Sequence, residues 1–131
     1  ANPEQCTVVM MSSPRFSSGN IHSNNTDMQN LWRIAYEGGV EAILSGDDHT
    51  YERFAPMDAG GNANANGVRQ FVVGTGGYSL YGLGTRKPNS EVFSAAHFGV
   101  LRVGLHSGSY SWQFIPINGA PSTDSGSTNC H

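Results

Sequence analysis

Short apolar runs separated by polar, glycine-rich stretches organise this chain. Thr7 to Met11 is a Val- and Met-rich run closed by Ser12-Ser13-Pro14, the pattern of a buried strand. A polar loop follows to about Asn25. From Thr26 the residues Met28, Leu31, Trp32, Ala35 and Tyr36 fall on one helical face; Asn25 or Thr26 can cap, Asp27 complements the dipole, and Gly38-Gly39 ends the helix. Val40 to Leu44 reads as a second strand. Residues 7–44 therefore form a strand–helix–strand unit, whose right-handed crossover predicts a parallel pair. Sites in such sheets gather beyond the carboxyl ends of the strands, where Ser12-Ser13 and Asp47 to His49 fall.

After Pro56, residues 58–67 read as a flexible loop without an apolar anchor. Gln70 to Gly74 is another short strand, left through Gly74-Thr75-Gly76-Gly77. That glycine run reads either as a tight turn or as a phosphate cradle, and the turn is favoured because no helix clearly follows. Phe98 to Leu105 and Ser109 to Ile117 predict a β-hairpin across His106-Ser107-Gly108. In it Tyr110, Trp112 and Phe114 alternate with Ser111 and Gln113; the aromatics read as core, and a sugar-stacking stripe would need them exposed. The fold class expected is α/β to α+β: a strand–helix–strand unit followed by mostly antiparallel strands.

Composition narrows the setting. A chain of 131 residues suffices for one domain, expected over 1–131. Charged residues are only 13%, against 17 glycines and 6 prolines, so the surface is built from small polar residues and backbone. With a formal net charge of −3 and seven scattered Lys and Arg, the chain offers no basic stripe for nucleic acid. No apolar run reaches the roughly 20 residues of a membrane span. The start, Ala1-Asn2-Pro3-Glu4-Gln5, has neither a basic region nor an apolar core and reads as already processed. Cys6 and Cys130 stand at opposite ends, either bridged across nearly the whole chain or free. The bridge suits an exported, small-residue composition, and an extracellular location is expected. Asn24-Asn25-Thr26 is a glycosylation acceptor pattern that matters only in a host that glycosylates.

Chemistry concentrates in Gly46-Asp47-Asp48-His49-Thr50-Tyr51-Glu52-Arg53. This stretch resembles the Gly-His-x-His-x-Tyr-Glu-Arg loop of calcineurin-like metallophosphoesterases, with Asp47 in place of the first histidine. Further ordered matches extend along the chain: Cys6 to Val9, Pro14-Arg15-Phe16-Ser17-Ser18-Gly19, Gly67 to Gly77, Asn89 to Val92, Phe98 to Leu101, Asp124 to Ser127 and Cys130-His131. Together they resemble the carboxyl-terminal half of secreted bacterial metallophosphoesterases, relatives of the purple acid phosphatases. The resemblance implies half of that family's β-sandwich.

It also implies hydrolysis of phosphate esters by two metal ions about 3.5–4 Å apart. The family draws several ligands from an amino-terminal half with Asp-x-His, Gly-Asp-x-x-Asp and Gly-Asn-His motifs; the last two do not occur in this sequence, and its one Asp-x-His, Asp47-Asp48-His49, belongs to the loop matched to the carboxyl half. Of the ligands the carboxyl half would add, only His49 keeps its imidazole; Ser12 and Ser13 stand at histidine positions, and a hydroxyl is a poor zinc or iron ligand. Asp47, Asp48 and His49 can still hold a hard cation weakly, so any metal expected is Zn, Mn, Fe or Ca at partial occupancy. The plain alternative is a polar loop with solvated or capping carboxylates and a packed histidine. His22 matches a family phosphate contact. Tyr51, Glu52 and Arg53 are expected to support the fold, Arg53 by pairing with Glu52 or a distant acid, while His97, His106 and His131 read as isolated surface or packed residues.

The function expected is a non-catalytic extracellular chain with a structural, assembly or binding role. The rival is a piece of an active phosphomonoesterase or phosphodiesterase completed by an amino-terminal half. With half a sandwich missing, the parallel pair would leave a sheet edge and an apolar face to be covered by self-association or a partner chain.

Overall fold

The computed structural model describes residues 6–131; the first five residues, on which the reading of a processed start rests, lie outside it. Strand β1 (Val8–Met11) leads through the polar loop to a 3-10 turn at Thr26–Met28 and helix α1 (Gln29–Glu37). Asn25 caps this unit, its side chain accepting the Asp27 N–H at 3.0 Å. Strand β2 (Ala42–Ser45) then pairs with β1 in parallel, as the crossover requires. Of the expected helical face, Trp32 and Ala35 are buried, whereas Leu31 stays 49% exposed. Trp32 fixes the helix: its indole N–H donates to the Asp58 carbonyl at 2.8 Å, and its ring meets Phe16 edge-on at 5.1 Å.

The strands β3 (Tyr51–Phe54), β4 (Arg69–Val73) and β5 (Ser90–Ser94) complete a five-stranded sheet in the order β1-β2-β4-β3-β5, parallel across β1-β2-β4 and antiparallel beyond. The hairpin β6 (Gly99–His106) and β7 (Ser109–Pro116), with β8 (Ser125–Asn129), forms a second, antiparallel sheet. β3, β5 and β8 were not expected as strands. The sheets stack over a core of Tyr51, Phe71, Tyr110, Trp112 and Phe114, so the hairpin aromatics are interior and the sugar-stripe alternative falls. On its other face the larger sheet packs α1 through Phe16, Trp32, Ile43, Phe54 and Met57.

The 58–67 segment is not slack. Asp58 Oδ1 accepts the N–H groups of Gly60 and Asn62 at 2.8 and 2.9 Å, and buried Met57 bridges to Ala63 and Val68. The residues 74–77 form a connection, with Thr75 Oγ1 donating to the Gly99 carbonyl at 2.9 Å and so joining the two sheets.

A single carboxylate joins the sheets more firmly. Asp124, at the entrance to β8, accepts from Tyr51 Oη at 2.6 Å and Arg53 Nε at 2.7 Å on β3, and from Trp112 Nε1 at 3.1 Å on β7. Arg53 and Arg69 both reach Glu91 on β5, and both guanidinium groups lie over the Trp112 ring at 5.2 and 5.0 Å. Arg53 therefore pairs with distant acids and not with Glu52. Burial alone would lower the Arg53 pKa, but the Asp124 hydrogen bonds and the Asp124 and Glu91 charges raise it.

Cys6 and Cys130 are bridged, with Cα atoms 5.6 Å apart across 124 residues of sequence. Beside the bridge, His131 is packed: its N–H donates to Glu41 Oε1 at 3.0 Å and its ring Nε2 lies 3.1 Å from the Gly67 carbonyl.

Removing the bridge with the pair Cys6→Ser and Cys130→Ser is expected to lower stability by about 4–5 kcal/mol in the chain-entropy treatment, measured as a fall in urea midpoint. Asp124→Ala leaves the half-buried Arg53 with Glu91 alone and the Tyr51 and Trp112 donors without their acceptor, and is expected to cost about 3–5 kcal/mol. A midpoint within error of the parent would show that Asp124 does not join the sheets.

Candidate functional site

Both parallel strands deliver their carboxyl ends to one rim. There the loop 12–19 leaving β1 meets the loop 46–50 leaving β2, and the first is held from below by two buried polar side chains. Gln70 on β4 accepts the N–H groups of Arg15 and Phe16 at 3.1 and 3.2 Å and donates to the Phe16 carbonyl. Glu52 on β3 accepts the Ser18 N–H at 2.8 Å and the Ser90 hydroxyl at 2.5 Å. A buried carboxylate needs such donors. Burial raises the Glu52 pKa, against the opposing pull of the Ser18 and Ser90 hydrogen bonds.

Asp47 and Asp48 part company in this loop. Asp47 takes a left-handed backbone conformation, φ 64°, which Asp tolerates better than most residues, and it is exposed. Its Oδ2 accepts from Ser13 Oγ at 3.1 Å. Asp48 is fully buried, with Oδ2 bonded to the Ser17 hydroxyl and Oδ1 without a partner. Backbone crowds around it: a Cβ at Gly19 would overlap its carboxylate and a Cβ at Gly74 its carbonyl, so both positions require glycine. Burial raises the Asp48 pKa; the Ser17 hydrogen bond and nearby His22 and His49 oppose the rise, and the Asp47 charge adds to it. Asp48 is therefore interior structure and not a partner of Asp47 in an open carboxylate pair.

His49 lies half-buried, stacked on Tyr81 at 4.1 Å between ring centroids and 11° between planes, with Nδ1 3.2 Å from Ser79 Oγ. Tyr78 stands edge-on to it at 5.8 Å and is itself 89% exposed. The loop carrying these tyrosines is strapped to the rim: Tyr81 N–H donates to the His49 carbonyl at 2.9 Å, and Gly84 N–H to the Ser18 carbonyl at 2.7 Å. His22 is exposed and shares a surface cavity of about 240 Å³ with Pro14, Ser23, Asn24, Asn25 and Asp47. Ser12 is exposed, its carbonyl accepting the Gly46 N–H at 3.0 Å. The Asn24 carboxamide of the acceptor pattern receives the Ser17 N–H at 3.1 Å.

The fold thus brings Ser12, Ser13, His22, Asp47 and His49 to one rim. Among the described residues no three His, Cys, Asp or Glu side chains come together to hold a metal ion. Tyr78, Ser79 and Tyr81, which immobilise His49, carried no sequence signal beyond an exposed aromatic pair in a glycine-rich loop. His97 and His106 are exposed, the latter 3.3 Å from Ser111 Oγ.

A parallel-edged sheet with one flanking helix, stacked on an antiparallel sheet with its loops converging at the strand ends, is the architecture of the purple acid phosphatase type. Two solved structures share it. The purple acid phosphatase PPD1 from yellow lupin (Lupinus luteus) seeds superposes with a TM-score of 0.77 at 19% identity over 95% of this chain. GAP50, described as the anchor in the inner membrane complex of Plasmodium, does so with a TM-score of 0.76 at 17% identity over 95% of this chain. The chain spans only 25% and 37% of the lengths of those proteins. At such identities the agreement is one of fold. No family model and no curated protein sequence matches the chain.

Because the folded-state pKa of Glu52 is raised, the native state binds more protons than the unfolded chain between about pH 4 and that raised value, and stability falls as pH rises through this window. Glu52→Gln removes the titration. The urea midpoint of the variant minus that of the parent is expected to become more negative, or less positive, as pH is lowered from 7 to about 4; a change in the opposite direction would show that ionised Glu52 is the stabilising form.

Proposed function

We propose that this chain is a non-catalytic, extracellular member of the phosphatase-fold proteins, with a structural, assembly or binding role. What supports this reading is the donor set at the rim. Two-metal hydrolysis requires ligands that hold both ions and a hydroxide between them. The rim offers two serine hydroxyls, an exposed Asp47 already bonded to Ser13, the exposed imidazole of His22, and the imidazole of His49, engaged by Ser79 and Tyr81. These residues do not fit a two-metal centre, and no hydrolytic step is derived through one. The disulfide between Cys6 and Cys130 fits an oxidising compartment, and no helix among the described residues is long and apolar enough to cross a membrane. No basic stripe favours nucleic acid.

A second reading draws support from length. The two chains of the same fold are roughly two and a half to four times longer, so this chain also suits one part of an active phosphomonoesterase or phosphodiesterase. His49 and Asp47 would then be metal ligands and His22 a phosphate contact, with an amino-terminal half supplying the rest.

The two are separated by nitrophenyl phosphate hydrolysis with added Zn, Mn, Fe or Ca, by the chain alone and after mixing with an intact amino-terminal half, together with metal content after dialysis. The expected result is no turnover above the metal-only blank, no stoichiometric metal, and no effect of His49→Ala. Turnover abolished by His49→Ala would establish the second reading.

A further inference from the structure

Strand register lays out the outer face of the smaller sheet as a grid. Arg102 on β6 stands beside Gln113 on β7 and Ser125 on β8, Gly104 beside Ser111 and Ser127, and His106 beside Ser109 and Asn129. The alternate positions, Val103, Trp112 and Gly126 among them, belong to the opposite face, where Trp112 is part of the core between the sheets. The hairpin aromatics therefore lend nothing to the grid, and whatever it holds is held by hydrogen bonds and charge.

Two cavities open here. One, of about 610 Å³, is lined on this face by Arg102, Gly104, His106, Ser111, Gln113 and Ser125. The other, of about 390 Å³, is lined by Ser109, Ser127, Thr128 and Asn129. Glycine at the centre of the grid leaves the room: a Cβ at Gly104 would stand 2.8 Å from Ser111 Oγ and 3.2 Å from His106 Nε2. The His106 ring thus lies over the glycine, with Nε2 3.3 Å from Ser111 Oγ.

The groups around the larger cavity are mostly donors. Arg102 Nη2 donates to Gln113 Oε1 at 2.6 Å, which occupies that carbonyl oxygen and leaves the Gln113 NH2, the rest of the Arg102 fork and the hydroxyls of Ser111 and Ser125 to donate. The chain has 10 acidic residues against 7 Lys and Arg, yet neither cavity is lined by Asp or Glu. An acid across the strands from Arg102 would stabilise the sheet; Gln113 and Ser125 stand there instead. A donor-rich, acid-free face on an acidic chain is complementary to an oxyanion.

We propose that this face binds an acidic saccharide, its carboxylate or sulfate group seated over Gly104 among Arg102, His106 and Gln113, and its hydroxyls lying along Ser109, Ser127 and Asn129. The inference rests on the reading of the chain as a binding module and names its ligand class. Serine and threonine hydroxyls both donate and accept, as saccharide hydroxyls do, so the smaller cavity suits a hydroxylated body. One permanent cation, Arg102, matches a sparsely charged ligand. A nucleic acid or a strongly acidic peptide presents a charge at every unit and would leave most of them facing uncharged groups. From Arg102 to His106 the strand runs about 13 Å, longer than a bare ion needs.

The experiment is isothermal titration calorimetry on the full, disulfide-bonded chain. The probes are oligomers of galacturonate, of sulfated glucose, of neutral galactose and of glutamate, together with sodium sulfate. At least one of the two acidic saccharides is expected to bind, one oligomer per chain, and the comparison of the two tells carboxylate from sulfate as the seated group. Salt is expected to weaken the binding. Arg102→Ala is expected to weaken it by about tenfold or more with an unaltered far-UV spectrum, while Arg33→Ala, which removes an equal charge from the exposed side of α1, leaves it unchanged. The neutral oligomer, the glutamate oligomer and sulfate are each expected to bind at least about tenfold more weakly than the better acidic saccharide. Failure of both acidic saccharides to bind, equal binding of any of the other three probes, or indifference to Arg102→Ala overturns the inference. None of these outcomes touches the hydrolysis assay, so failure of this contact and failure of the non-catalytic reading remain distinguishable.

Discussion

A buried carboxylate at Asp124 is the interaction on which the two-sheet arrangement depends. Aromatic stacking between the sheets, such as Tyr51 on Phe114 at 4.4 Å, is attractive at several offsets and fixes no unique alignment. A desolvated charge does. Asp124 must receive Tyr51, Arg53 and Trp112 together, and those donors stand on strands of different sheets. Sliding either sheet would part Asp124 from Arg53 and Tyr51, leaving Asp124 with Trp112 alone and Arg53 with Glu91 alone, at a cost of several kcal/mol. Burial, followed by donation to Asp124, also raises the Tyr51 pKa, so the phenol stays protonated and keeps donating.

The same logic repeats one layer closer to the rim. Gln70 and Glu52 are interior polar groups whose hydrogen-bonding needs are met by the backbone of the 12–19 loop and by Ser90. Neighbouring Asp48 meets the Ser17 hydroxyl, with Gly19 and Gly74 admitting the backbone that surrounds it. The rim is therefore a consequence of interior polar satisfaction and not of its own surface contacts. Side chains on its solvent side, Ser12, Ser13 and Asp47 among them, contribute little to holding it in shape.

What the sequence disclosed follows from this division. β1, α1, β2, β4 and the β6–β7 hairpin are each carried by local apolar periodicity, and each was legible within a residue or two. β3 was hidden because Tyr51-Glu52-Arg53-Phe54 places two charges in four residues; it is a strand only because Ser18, Ser90, Asp124 and Glu91 satisfy those charges from distant parts of the chain. β8 has no apolar residue at all. It pairs with β7 because Asp124 anchors its start and Cys130 its end, while Gly126 leaves room for the Trp112 ring. Among the candidate site residues, His22, Asp47 and His49 were found by motif. Asp48 was grouped with them because sequence adjacency does not reveal that alternate residues of a turn face opposite ways. The tyrosines that immobilise His49 lie some thirty residues away, and only tertiary strapping brings them in.

This separation bears on what a phosphatase fold can become. In the Gly46 to Arg53 stretch, Tyr51, Glu52 and Arg53 answer to the interior: Tyr51 joins the sheets with Asp124, Glu52 holds the 12–19 loop, and Arg53 joins the sheets through Asp124 while pairing with Glu91 on β5. Asp47 answers only to solvent and Ser13. A change of ligand at the outer positions therefore removes donor atoms without disturbing a buried partner, whereas a change at the inner positions strands a charge. Chemistry at the rim can be lost while the fold is retained, which is the order of events the proposed reading requires.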